Sequence, residues 1–123
     1  LDVPEDAENV LIILDASGSM QEPLPNGETK IAAAKRVVND LLDRIPSSVR
    51  LGLRVYGPAG FVLDPCRASR LLVPVGTGNR ERIRQFVWRV GANGATPISY
   101  SLLQAVRQDL AGLPGKKRIV LVS

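Results

Sequence analysis

Residues 9–15 read Asn-Val-Leu-Ile-Ile-Leu-Asp, a short apolar run that ends on Asp15. An uninterrupted run of this length suits a strand buried on both faces, as in a parallel sheet, rather than an alternating strand with one wet side. Residues 16–28 are rich in Gly, Ser and Pro and read as a loop. Helical periodicity follows over 29–45, with Ile31, Ala34, Val38, Leu41, Leu42 and Ile45 on one face and Pro46 as the stop.

Further along, residues 49–56 alternate, with Val49, Leu51, Leu53 and Val55 set against Arg50, Gly52, Arg54 and Tyr56. This pattern predicts a half-covered strand. Gly57 to Pro65 reads as a loop. Residues 69–75 read as a strand, and Pro74, which has no N–H for a ladder, assigns it an edge position. Asn79 is placed to cap a helix that runs to Val90 with Ile83, Phe86, Val87 and Val90 inward, and Gly91 ends it. After a small-residue loop at 91–96, Thr96 and Pro97 read as N-cap and first helical residue. That helix is expected to reach Ala111, burying Ile98, Leu102, Ala105, Val106 and Leu110, before Gly112 to Gly115 break it. Residues 118–122, Arg-Ile-Val-Leu-Val, form a second apolar strand.

Strands alternating with helices predict an α/β sandwich with a mostly parallel sheet. Residues 1–123 contain no repeat and no linker, so one domain is expected. Ile119 to Val122 read as an interior strand, because an uncharged apolar edge invites aggregation. The expectation is therefore a domain that continues past Ser123, truncated here at its C-terminal end.

Composition narrows the function classes. A chain of 123 residues that is 45% hydrophobic and 23% charged can build a core and is not disordered. The net charge of +4 is mild. Arg80, Arg82, Arg84 and Arg89 share one predicted helix and read as its solvated face. Aromatics are limited to Trp88, Tyr56, Tyr100, Phe61 and Phe86, which argues against a nucleic-acid partner that needs stacking platforms. The absence of histidine removes Ser-His-Asp and Cys-His catalysis and histidine-ligated zinc. Cys66 is the single cysteine, read either as an inert thiol or as half of a disulfide completed beyond Ser123. No apolar run approaches the ~20 residues that span a bilayer, so direct membrane insertion by this segment is not expected. Leu1 reads as a processing boundary.

Asp15, Ser17 and Ser19 are spaced two apart directly after the apolar strand. In an extended segment that spacing gathers one carboxylate and two hydroxyls on one side. Gly18 lacks a Cβ and lets the loop turn around a small object. Open α/β sheets bind ligands at the carboxyl ends of their strands. An all-oxygen set with one acid suits magnesium, which keeps several waters. A calcium loop counted from Asp15 fails, with Met20 at its glycine position and Asn26 at its final glutamate. The alternative is that Ser17 and Ser19 are ordinary turn residues and Thr96 only a helix cap.

Asp15-Ala16-Ser17-Gly18-Ser19-Met20 resembles the D-x-S-x-S signature of the von Willebrand factor type A family, and Gly94-Ala95-Thr96-Pro97 resembles the second segment of its metal-ion-dependent adhesion site (MIDAS). The resemblance implies a Rossmann-like three-layer sandwich, mostly parallel with one antiparallel edge strand, of which the C-terminal strands and helices are missing here. It implies a Mg2+ site, with Mn2+ or Ca2+ as substitutes, held by Asp15, Ser17, Ser19 and Thr96. The family adds an Asp after the strand ending at Ser123. It also implies a partner protein whose exposed Glu or Asp completes the metal shell, and the remainder of the domain beyond Ser123 as a packing partner. A bacterial member, extracellular, periplasmic or membrane-anchored rather than cytoplasmic, is the expectation.

Enzyme readings fare worse. A phosphoryl-transfer site with Asp15 as nucleophile needs a second Asp where Ser17 stands. A G-x-S-x-G elbow fails because Asp15 and Ser19 flank Ser17, and Gly76-Thr77-Gly78 lacks a third Gly at Glu81. No catalytic residue is assigned. The remaining alternative is a structural domain with a vestigial metal site.

Overall fold

A computed structural model describes residues 3–58 and 65–123. Most of the Gly57–Pro65 loop, with Phe61, lies outside the described residues. The elements are β1 (Glu8–Asp15), α1 (Lys30–Arg44), β2 (Arg50–Tyr56), β3 (Ser69–Gly76), α2 (Arg80–Arg89), α3 (Ile98–Gln104) and β4 (Lys116–Val122). The sheet runs β3-β2-β1-β4. β1 pairs in parallel with β2 and β4, while β3 runs antiparallel along the outer edge of β2.

β1 is buried on both faces, as its apolar run requires. Val10, Ile12 and Leu14 face one cluster with α1 and α2, into which Ala34, Val38, Leu42, Ile83 and Val87 pack. Leu11 and Ile13 face the opposite cluster with Tyr56, Ala105 and Leu110. Helices therefore cover both faces and the domain has three layers. Pro74 is exposed on edge strand β3. It lies where the register slips, between the pairs Leu53–Val73 and Leu51–Gly76, so its missing N–H costs no regular ladder bond.

Three expectations are corrected. β2 is not half-covered: Arg54 and Tyr56 are buried with its apolar residues. Arg54 tolerates this because Asp109 accepts two of its N–H groups, at 2.6 and 2.8 Å, and Ser69 a third at 3.0 Å. The helix after residue 97 does not run on as one α-helix. It changes to a π turn over Ala105–Asp109, closed by the Leu110 N–H on the Ala105 carbonyl. Ile98, Ser101, Ala105 and Leu110 consequently face inward, whereas Leu102 and Val106 are exposed. Asn79 occupies the cap position of α2 but donates from its side chain to the Leu51 and Pro74 carbonyls instead of capping. Among the described residues β4 pairs with β1, and Leu121 is exposed. Its apolarity serves Ile119, Val120 and Val122, which pack into the two clusters.

Candidate functional site

Asp15 closes β1, and its carboxylate is the hub of a hydrogen-bond chain. Oδ1 accepts from the Ser17 amide at 2.9 Å and from the Ser17 hydroxyl at 2.6 Å. The Ser17 and Ser19 hydroxyls lie 3.2 Å apart. Since Ser17 gives its proton to Asp15, Ser19 is the donor between them. Oδ2 accepts from the Ser123 hydroxyl at 2.7 Å. Asp15 and Ser17 are buried, while Ser19 reaches solvent. Burial alone would raise the Asp15 pKa, but the hydrogen bonds from Ser17 and Ser123 outweigh it and hold the carboxyl below its ordinary value.

The route to this geometry differs from the one expected. The extended backbone ends at Ser17, and Gly18–Gln21 form a single 3-10 turn that brings Ser19 back toward Ser17 and buries Met20. The glycine that this approach demands is not Gly18, where a Cβ would stand 3.5 Å from the Gly94 carbonyl in ordinary contact. It is Gly57, with φ at +116° and a hypothetical Cβ 2.5 Å from the Ala16 and Ser17 backbone. Gly57 lets the end of β2 pass directly beneath the Asp15 loop.

The second segment is stitched to the first. The Gly18 amide donates to the Gly94 carbonyl at 3.0 Å, the Asn93 amide to the Ala16 carbonyl at 2.8 Å, and the Gln21 side chain to the Ala92 carbonyl. Loop 91–96 is thus held against the Asp15–Gln21 loop. Thr96 sits at its end, exposed, and lines a hollow with Cys66 and Tyr100. Its hydroxyl makes no hydrogen bond among the described residues, neither to the triplet nor as a cap. Pro97 takes the cap position and α3 starts at Ile98. Cys66 is exposed on the Pro65–Arg67 turn.

Two members of the cluster escape sequence reading. Ser123 follows β4 and reaches Asp15 only because β1 and β4 pair in register. Tyr56 ends β2 with its hydroxyl buried beside Asp15 and Ser123, without a hydrogen bond of good geometry among the described residues. Its burial, and then the neighbouring carboxylate, push its pKa up.

The donor set fits a hard cation by its chemistry. Among the described residues it offers one carboxylate and neutral hydroxyls, all oxygen, with no cationic side chain against Asp15 and the orphaned Tyr56 hydroxyl beside it. Among the described residues, no group of three or more His, Cys, Asp or Glu side chains converges. Any cation here would rely on hydroxyls and water.

The family model described as von Willebrand factor type A domain matches residues 10–123. The chain belongs to this family. Membership supports a general interaction or assembly module. The uncharacterized protein YwmC of Bacillus subtilis (strain 168) is 26% identical over 121 residues, covering 94% of this chain and 53% of YwmC. An aerotolerance-related membrane protein from Bacteroides fragilis NCTC 9343 superposes with a TM-score of 0.68 at 21% identity, over 94% of this chain and 52% of that one. An uncharacterized membrane spanning protein from Vibrio fischeri gives 0.62 at 26% identity, over 87% and 52%. The chain spans about half the length of each of these relatives. No helix among the described residues is long and apolar enough to cross a membrane.

Proposed function

We propose that this von Willebrand factor type A domain is a divalent-cation-dependent protein-binding module without enzymatic activity. Asp15, Ser17, Ser19 and Thr96 would hold Mg2+, or Mn2+ or Ca2+ in its place, and the partner would present a Glu or Asp side chain. A bound Mg2+ supplies an electrophilic centre that an outside carboxylate can reach. Asp15 gives the site its one negative charge, Ser17 and Ser19 give neutral oxygens, and Thr96 enters from the stitched loop. The observation that carries this reading is the Asp15 carboxylate, withdrawn from water, kept ionised, met only by hydroxyls and an amide, and next to an exposed serine.

A vestigial, purely structural site is the second reading. It is favoured by the same hydrogen-bond chain, which satisfies both Asp15 oxygens from within the protein. Phosphoryl transfer ranks below both, since Ser17 stands where a second acid would be needed. The bacterial relatives favour a bacterial origin, and the Vibrio protein's description favours a membrane-anchored, extracellular or periplasmic setting.

Thermal unfolding with Mg2+, with Mn2+ and with chelator tests the proposal. Saturation at 100 times the dissociation constant should add about 2.7 kcal/mol. Asp15→Ala and Ser17→Ala should abolish that gain. No gain with either ion would leave the vestigial reading in possession.

A further inference from the structure

A second surface lies away from the Asp15 cluster, in the groove between α1 and α2. The groove encloses about 930 Å³. Ile31, Ala32 and Trp88 give it an accessible apolar lining over the buried Leu42 and Val87, and Lys35, Arg36, Arg84 and Arg89 stand around that lining. No acidic residue lines it among the described residues, although Glu28, Asp43 and Glu81 reach two of its arginines from outside. Trp88 stands at the groove with 80% of its surface in solvent, although tryptophan is the side chain most often used as an anchor in interfaces.

The cations are not equivalent. Arg36 is paired with Glu28, and Arg84 with Asp43 and Glu81. Lys35 and Arg89 have no carboxylate partner among the described residues. Lys35 is half-buried, and its ammonium donates to the Trp88 carbonyl at 3.0 Å. Partial burial lowers its pKa.

We infer that the α1–α2 groove docks an acidic, leucine-bearing peptide segment of a partner protein, with apolar side chains against Trp88, Ile31 and Ala32 and carboxylates on Lys35 and Arg89. Charge complementarity selects the occupant: an apolar trough that carries Lys35 and Arg89 without carboxylate partners among the described residues favours an acidic segment over a basic one. A nucleic-acid strand fits less well, because a single indole gives one stacking platform and the lining is aliphatic. The surface is independent of the metal reading, since neither helix contributes to the Asp15 cluster.

Trp88 is the only tryptophan of the chain, so its fluorescence reports this groove alone. The full chain is titrated, in chelator, with a soluble peptide that combines Glu and Leu in helical spacing. Controls are the Lys-for-Glu counterpart, an all-Glu peptide and oligothymidylate. The Glu-Leu peptide should shift Trp88 emission to the blue and bind at least about tenfold more tightly than each control. Lys35→Glu with Arg89→Glu should weaken it about tenfold while the unfolding temperature holds. Should the double variant misfold, Arg89→Glu alone and calorimetry on Trp88→Ala carry the same expectation. Equal binding of the Lys peptide, the all-Glu peptide or oligothymidylate would overturn the inference. So would an unmoved emission, or one that moves with protein concentration alone and so reports self-association.

Discussion

Asp15 and Asp109 are both carboxylates taken out of water, and they are neutralised in opposite ways. The Asp109 side chain is 1% exposed and meets Arg54, itself 7% exposed, through two charge-assisted hydrogen bonds. Arg54 spends its third contact on Ser69, which accepts from Ser101 in turn at 2.8 Å. Charge and hydrogen bonds close within the protein. Asp15 has comparable burial and, among the described residues, no cation; hydroxyls and one amide are its support there. A closed ion pair has nothing to offer a ligand. A carboxylate held ionised by neutral donors keeps a formal charge that a cation can still use.

The largest expected effect tests the closed half of this contrast. Asp109→Ala strands Arg54 in the interior and should cost about 3–5 kcal/mol in urea unfolding. The double variant Arg54→Met with Asp109→Leu removes both charges and should recover most of that loss. If the double variant were as unstable as the single one, volume rather than charge would govern the site. The π turn gives a structural readout, because it delivers Asp109 to Arg54. Without the pair, amide exchange over 105–110 should quicken before the rest of the domain loosens.

At the Asp15 end, backbone geometry replaces charge as the positioning agent. Gly57→Ala forces an L side chain into φ of +116° and against the Ala16 backbone. The strain alone is worth about 1–3 kcal/mol. The Mg2+-dependent gain should fall with it, because the Asp15 loop rests on that contact. Gly18→Ala should cost a few tenths of a kcal/mol at most, within the usual range of a tolerated surface change. Equal penalties at the two positions, measured by thermal unfolding, would show that the loop moves freely over β2.

Local signals made one of these regions legible and not the other. The apolar run 9–15, the D-x-S-x-S spacing and the helical periods of α1 and α2 are all short-range. They led to an α/β sandwich with a mostly parallel sheet and to the clustering of Asp15, Ser17 and Ser19, and Pro74 marked β3 as an edge. The Arg54–Asp109 pair spans 55 residues and rests on a π insertion that a period of 3.6 cannot reveal. Alternation in β2 therefore marked Arg54 as wet, and regular spacing marked Leu102 and Val106 as buried. Ser123 and Tyr56 were illegible for the same reason: each joins Asp15 through strand register, not through sequence proximity.

Ser123→Ala carries a smaller effect than Gly57→Ala and divides the two carboxylates most sharply. The substitution removes the only side-chain donor to Asp15 Oδ2 among the described residues. In chelator the domain should lose about 1 kcal/mol, the net worth of one hydrogen bond. With Mg2+ present the loss should shrink or vanish, because an oxygen released from Ser123 is available to a cation, and the Mg2+-dependent gain measured against chelator should therefore grow. A structural role predicts the reverse, an equal loss in both conditions. In that case Ser123 would complete Asp15 as Arg54 completes Asp109, and both carboxylates would be closed.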